Sequence, residues 1–474
     1  MNSPEEILRY KEEIRTLGEL QTSGYSVVSI KEEMRHNLIR RLQEKEPLFP
    51  TILGFQDTVV PQIENAILAG HDMILLGERG QAKTRLIRGL VGLLDEVIPI
   101  IKGCEINDNP FVPICRRCQL KVIELGNRVE IVWIHRSMRY SEKLATPDVT
   151  IADLIGEIDP IKLAEGRYLS DEMAIHFGLI PRVNRGIFAI NELPDLPEKV
   201  QVGLFNIMEE RDVQIKGFPV RLPLDVFVVA TANPEDYTSR GRIITPLKDR
   251  YRAQIRTHYP RDPQIEIQIV EQERRSFNTS LELSVPPFMK EILVELTFLA
   301  RRASEINQRS GVSVRMSISN YESLISNAEK RALHLGESEI APRVSDLRAL
   351  MATTAGKIEL EYSGEEKGEG EIIQNLIRKA VRAVFDRYFK VDQFHPLLES
   401  FESGGVMEVS EEMSAQDYLD LLQEVPALEE ALKKLEADRT TGLKASAIEF
   451  ILEGLHLNNK LNKQNLGDKT QYRS

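Results

Sequence analysis

Asp72-Met73-Ile74-Leu75-Leu76-Gly77-Glu78-Arg79-Gly80-Gln81-Ala82-Lys83-Thr84 is the stretch that decides the fold of this chain. Met73 to Leu76 form an apolar run that stops at a glycine, the pattern of a short parallel strand covered on both faces. After Thr84, the residues Leu86, Ile87, Leu90, Val91 and Leu94 recur at helical spacing and put one apolar stripe on a helix. A strand, a glycine-rich turn, Lys-Thr and a helix together make a site for a nucleoside triphosphate. Backbone N–H groups wrap the phosphates and the helix N-terminus adds positive potential, while Lys83 reaches the outer phosphates and Thr84 Oγ can ligate Mg2+. Gly77 to Thr84 follow G-x-x-x-x-G-K-[ST] except that Ala82 stands at the second glycine. Alanine takes helical φ/ψ without strain, so the loop is expected to close with a methyl group near the phosphates.

Further along, Gly186-Ile187-Phe188-Ala189-Ile190 reads as a second buried strand, ending in Asn191-Glu192. An acidic or amide strand end opposite a phosphate loop is where triphosphatases hold Mg2+ and its water. Glu192 is the candidate base for the attacking water, and Asn191, an amide where an aspartate is usual, is a neutral partner for a Mg2+-bound water. Val226-Phe227-Val228-Val229-Ala230-Thr231 is another buried strand, and Asn233 at its tip is the candidate sensor that holds the water against the γ-phosphate. Strands of one apolar type ending in polar groups aim their carboxyl ends at one crevice, as open α/β sheets do at ligand sites. Val129 to Ile134 also have strand character.

The bulk composition is compatible with this reading. The chain has 474 residues, 42% hydrophobic and 28% charged, which predicts a multi-domain globular protein. A net charge of −12 argues against a nucleic-acid surface over the whole molecule. No apolar run reaches membrane-span length and Met1 to Glu6 do not read as a signal peptide, so a cytoplasmic location is expected. Cys104, Cys115 and Cys118 cannot all pair. They read as incidental buried or loop thiols; the C-x-x-C spacing would also suit zinc, with His135 or Asp108 as a fourth ligand.

Four segments are expected: a helical arm over 1–45, an α/β nucleotide-binding domain over 46–262, an α-helical lid over 263–390 and an acidic helical extension over 391–474. Asp212 to Arg221 read as a hairpin, and the tail past Asn458 as polar and frayed. The helices of 414–457 read as a packing bundle, with docking of a partner as the sharper alternative.

Taken together these motifs resemble the AAA+ ATPases, and within them the magnesium chelatase subunit I and MoxR branch. The resemblance is carried by Gly77 to Thr84, by Ala145-Thr146-Pro147-Asp148 and Gly156-Glu157-Ile158-Asp159, and by Asn184-Arg185-Gly186-Ile187 leading into Asn191-Glu192-Leu193. Ala232-Asn233-Pro234-Glu235 and Leu247-Lys248-Asp249-Arg250-Tyr251 complete it. It implies a P-loop α/β parallel sheet with flanking helices, followed by the lid, and ATP with Mg2+ as ligands. It further implies a homo-oligomeric ring, expected to be a hexamer, with ATP between subunits. Gly77, Glu78, Arg79, Gly80, Gln81, Ala82, Lys83 and Thr84 would bind the nucleotide, and Thr84 and Asn191 the metal. Arg250 would be the arginine finger, with Arg242 in reserve, and Arg315 the second sensor from the lid.

Asn191 and Ala82 predict slow hydrolysis. The function expected is remodelling or activation of a partner, the usual partner in this branch carrying a von Willebrand A-type domain. Alternatives are a true magnesium chelatase ATPase subunit in tetrapyrrole biosynthesis and an ATP-binding scaffold without turnover. A transcription activator is weakest, because the Gly-Ala-Phe-Thr-Gly-Ala loop of that branch is absent.

Overall fold

The computed structural model describes residues 11, 13–159, 172–209, 212–214, 221–233, 241–361, 368–403, 406–410, 412–422, 427–466 and 469–473. The chain divides into two compact units, Met1–His258 and Tyr259–Ser474. The first unit is built on a five-stranded sheet of β1 (Met73–Leu76), β2 (Tyr140–Leu144), β3 (Gly186–Asn191), β4 (Val226–Ala232) and β5 (Ala253–Arg256). Every pairing is parallel and the order across the sheet is β5-β1-β4-β3-β2. Parallel neighbours need crossovers, and these place helices on both faces.

Alternation along the strands divides the core in two. Ile74, Phe188, Ile190, Val228 and Ala230 belong to one cluster, and Met73, Leu75, Ile187, Ala189, Phe227 and Val229 to the other. Helices Ile30–Glu44, Val60–Leu68 and Lys83–Gly89 pack on the second set, and Glu198–Glu209 on the first. Each large aliphatic or aromatic side chain buried this way contributes about 1.5–3 kcal/mol. Register fixes the carboxyl ends: Leu76 lies opposite Ala232, and Ala230 opposite Ile190, so the three central strands end together.

At the amino ends a second regularity appears. Asp72, Arg139, Arg185 and Asp225 each stand immediately before a strand, and each is tied down. Asp72 accepts from Val228 N at 2.9 Å and from Lys31 Nζ at 3.1 Å. Arg139, 1% exposed, makes a two-pronged pair with Glu33 at 2.7 and 2.6 Å and donates to Arg185 O. Arg185 donates to Pro99 O, and Asp225 accepts from Ile30 N at 2.8 Å, the first residue of Ile30–Glu44. Burial raises the Asp225 carboxyl above its usual range and lowers the Arg185 guanidinium below its own. Burial also opposes the charge of Arg139, but Glu33 outweighs it and the guanidinium is held above its ordinary value. Gly186 opens β3 because a Cβ there would lie 2.0 Å from Arg139 O.

Two elements differ from expectation. The strand read at Val129 to Ile134 forms as Ile131–His135 but lies outside the parallel sheet, pairing antiparallel with Val97–Ile101. Its Trp133 donates to Ile14 O at 3.1 Å and meets the Tyr25 ring edge-on at 5.6 Å, so the ribbon serves the N-terminal residues instead. The tail past Asn458 is not frayed throughout: Asn462–Leu466 and Lys469–Arg473 form a three-stranded antiparallel sheet with Met407–Ser410, anchored by buried Tyr472.

The second unit is mainly helical. Pro287–Ala300, Arg315–Leu335, Glu369–Tyr388 and Thr441–Leu457 share one core, in which Phe288 and Phe450 stack at 4.4 Å. Buried Arg331 bridges Asp346 and Glu337, and Arg343 joins Glu337, so those charges are mutually satisfied. Among the described residues no helix is long and apolar enough to cross a membrane.

Candidate active site

The phosphate loop is shaped by close packing before any ligand is considered. Gly77 N donates to Ala232 O at 3.1 Å, and a Cβ on Gly77 would lie 2.0 Å from Thr257 Oγ1 and 2.2 Å from Gln81 Oε1. Gln81 Oε1 accepts from Thr257 Oγ1 at 2.7 Å and from Glu78 N at 3.1 Å, tying the loop to the residue that follows β5. Gly80 takes φ +75°.

Ala82 corrects one expectation. It is not right-handed helical but left-handed, φ 53° and ψ 16°, at the N-cap of Lys83–Gly89. The loop closes only through that conformation, which costs a residue with a Cβ about 1–2 kcal/mol. The consensus glycine is thereby explained, and this chain keeps the geometry at some strain.

Lys83 is buried, and three neutral oxygens are among its partners. It donates to Gly77 O, to Glu78 O at 2.7 Å and to Asn233 Oδ1 at 2.6 Å. Asn233, 4% exposed, is 150 positions away in sequence, brought there by the β1–β4 pairing. Thr84 Oγ1 donates to Asn191 Oδ1 at 3.4 Å, and Thr231 Oγ1 reaches the same oxygen at 3.4 Å. Glu192 is left-handed at φ 56°, and its N–H donates to Thr231 Oγ1 at 2.9 Å. Lys83, Thr84, Asn191, Glu192 and Asn233 are thus gathered at the carboxyl ends of β1, β3 and β4.

These residues fit a nucleoside triphosphate with Mg2+. The Lys83 ammonium stands at the phosphate loop, where an anion can replace its carbonyl partners, and the Thr84 and Asn191 oxygens face each other where a hydrated cation could be held. Of the remaining loop residues, Arg79 is exposed and Glu78 half-buried. Gln81, expected at the nucleotide, is taken up with Thr257 and Glu78 N. Thr231 and Thr257 went unread as site residues. Their roles depend on partners far along the chain, and the one available signal was a hydroxyl at the end of an otherwise apolar strand.

The expected arginines are carried by other elements. Arg250, last residue of helix Thr245–Arg250, pairs with Glu209, donates to Pro246 O at 2.8 Å and sits 4.9 Å over the Phe205 ring. Arg242 is exposed, 3.8 Å from Glu198. Arg315 belongs to the second unit, as the exposed first residue of Arg315–Leu335. In the hairpin, Asp212–Gln214 pairs with Arg221–Pro223, and residues 215–220 lie outside the described ones, as does 234–235 of the Asn233 motif.

A parallel α/β sheet with a phosphate loop and polar strand ends defines a P-loop α/β fold whose site residues fit a nucleoside triphosphate with Mg2+. Within that fold class the chain is similar to magnesium-chelatase subunit ChlI. It is 24% identical to that of Nostoc sp. over 326 residues, spanning 64% of this chain and 81% of the relative. With that of Mesostigma viride the identity is 29% over 248 residues, 50% of this chain and 63% of the relative. No family model matches. A complex of the magnesium chelatase subunits BchI and BchD, from cryo-EM, is 17% identical and covers 66% of this chain and 96% of that one, at a TM-score of 0.36 that carries no weight.

Proposed function

We propose that this chain is a cytoplasmic ATP-driven remodelling subunit of the magnesium chelatase-like and MoxR-like kind, working as a closed ring of six copies with ATP between neighbours. The observation that carries the reading is the hydrogen bond from Lys83 Nζ to Asn233 Oδ1 at 2.6 Å, which joins the phosphate loop to the sensor position on the adjacent strand. Bound ATP with Mg2+ supplies the phosphoanhydride that is cleaved. Lys83 exchanges its carbonyl partners for phosphate oxygens. Thr84 and Asn191 are the residues that would hold Mg2+, which would offset the charge on the phosphates. Glu192 takes a proton from the attacking water and Asn233 orients it.

Arg250 reaches the neighbour's γ-phosphate as a finger. Its pairing with Glu209 supports this as a resting contact, released when the interface closes. Arg315 contributes the second sensor. The partner acted on is a protein with a von Willebrand A-type domain. The names of the relatives favour a second reading, the ATPase subunit of a magnesium-inserting chelatase.

Mixing variants tests the shared site. Glu192→Gln and Arg250→Ala are each expected to hydrolyse poorly alone. Mixed rings should regain phosphate release, since some interfaces then join an intact Glu192 to an intact Arg250. Light scattering should show assembly to about six subunits on adding ATP with Mg2+. No recovery on mixing, together with a monomer in ATP, would contradict the reading.

A further inference from the structure

Cys104, Asp108, Cys115 and Cys118 converge in the first unit, with one ligand atom of each within 4.8 Å of all the others. Asp108 and Cys118 are 0% exposed, and Cys115 6%. We propose that these four side chains are a structural zinc site, Cys3Asp, that staples the excursion between Val97–Ile101 and helix Arg116–Leu125.

Four observations support this. The spacing is that of a single ion: a tetrahedral zinc with Zn–S of about 2.3 Å places its sulfurs about 3.8 Å apart, so a small contraction closes the shell. An iron–sulfur cluster would need the thiolates held much further apart than they are.

The backbone is folded around the sulfurs. Ile106 N and Asp108 N both point at Cys104 Sγ, at 3.4 and 3.3 Å, and Cys118 N at Cys115 Sγ, at 3.4 Å. N–H groups aimed at sulfur stabilise thiolate over thiol, as bound metal requires. Gly103 and Asn107 take positive φ, 76° and 52°, to make that turn.

Asp108 is the third point. Its two oxygens accept from Ile114 N at 3.2 Å and Cys115 N at 3.1 Å, but among the described residues no Lys, Arg or His forms an ion pair with it. A fully buried carboxylate without a cation is costly, and a metal would offset that cost. His135, the other candidate from the sequence, is exposed and occupied with Ser137.

Finally, the excursion has few other means of holding its shape. Its core is a small cluster of Leu17, Ile101, Ile106, Val129 and the two buried cysteines. Asn107 Nδ2 donates to Arg182 O at 2.9 Å, and Asn184 Nδ2 to Ile106 O at 3.2 Å. Asn184 stands two residues before β3, which carries Asn191 at its other end. Metal binding would therefore brace the base of the strand that leads into the ATP site, without touching that site.

The test uses the full chain purified without chelator or metal-affinity tag. Elemental analysis should find about one zinc per chain, released as a mercurial titrates the thiols. Reconstitution with Co2+ alone should give the thiolate charge-transfer bands and strong d–d absorption of a tetrahedral site. Cys118→Ser should lose the metal, and Asp108→Asn should weaken zinc binding by about tenfold or more while altering the cobalt d–d bands. Should Cys118→Ser fail to fold, the wild-type protein still decides: its thiols should react slowly with a disulfide reagent until a strong zinc chelator is added. Protein without zinc that gives no cobalt thiolate bands, or a Cys115–Cys118 disulfide in the native protein, would overturn the proposal.

Discussion

The two ends of the central sheet are built on opposite plans. At the amino ends, Asp72, Arg139, Arg185 and Asp225 are buried charges with close partners, the Arg139–Glu33 prongs standing at 2.7 and 2.6 Å. At the carboxyl ends, Thr84 and Thr231 reach Asn191 only at 3.4 Å, Ala82 and Glu192 hold left-handed backbones, and Lys83 is bonded to neutral oxygens. One end is saturated and the other has exchangeable contacts and stored strain, as expected where ligands must replace protein partners. The comparison separates stability from chemistry along the same strands.

Substitutions can break that separation, and the largest effect is expected at Arg250, the proposed finger. Arg250→Ala should lower turnover by about 10³-fold or more. Its Glu209 contact is partly exposed, so melting should move by no more than about 1 kcal/mol. Equal loss of stability and turnover would make Arg250 an ordinary packing residue. The converse belongs to the amino end. Glu33→Gln leaves the Arg139 charge buried with half its partner, and unfolding in urea should show a loss of about 3–5 kcal/mol. Nucleotide affinity measured below the melting range should stay unchanged. A fall in affinity at full folding would show that the two ends are coupled.

The smallest change sharpens the strain argument. Ala82→Gly should relieve the left-handed backbone by about 1 kcal/mol, partly offset by the greater freedom of unfolded glycine. The expected outcome is nucleotide affinity raised up to about fivefold, read by titration with a fluorescent ATP analogue. Weaker binding would mean that the methyl group, and not the backbone, matters to the phosphates.

What could be read in advance follows the same division. The carboxyl end was legible because its chemistry is written in short contiguous motifs, Gly77 to Thr84, Asn191-Glu192 and Asn233, each at the end of an apolar run. The amino end was not, because Glu33 meets Arg139 across 106 positions and Ile30 meets Asp225 across 195. β2 and β5 escaped notice for another reason. They are edge strands, Tyr-Ser-Glu-Lys-Leu and Ala-Gln-Ile-Arg, half exposed and without the apolar run of a central strand. Ala82 was misjudged because propensity describes a residue and not the turn it must complete. The Cys104, Cys115 and Cys118 spacing showed that zinc was possible, but only the fold brought Asp108 to the group and removed His135.

That the carboxyl end hydrolyses ATP is the central proposal, and steady-state phosphate release by wild type and Glu192→Gln, with ATP affinity measured on both, tests it most directly. Comparable affinities with turnover about 10²–10⁴-fold lower in the variant are predicted. Identical release rates, or none from either protein, would contradict it.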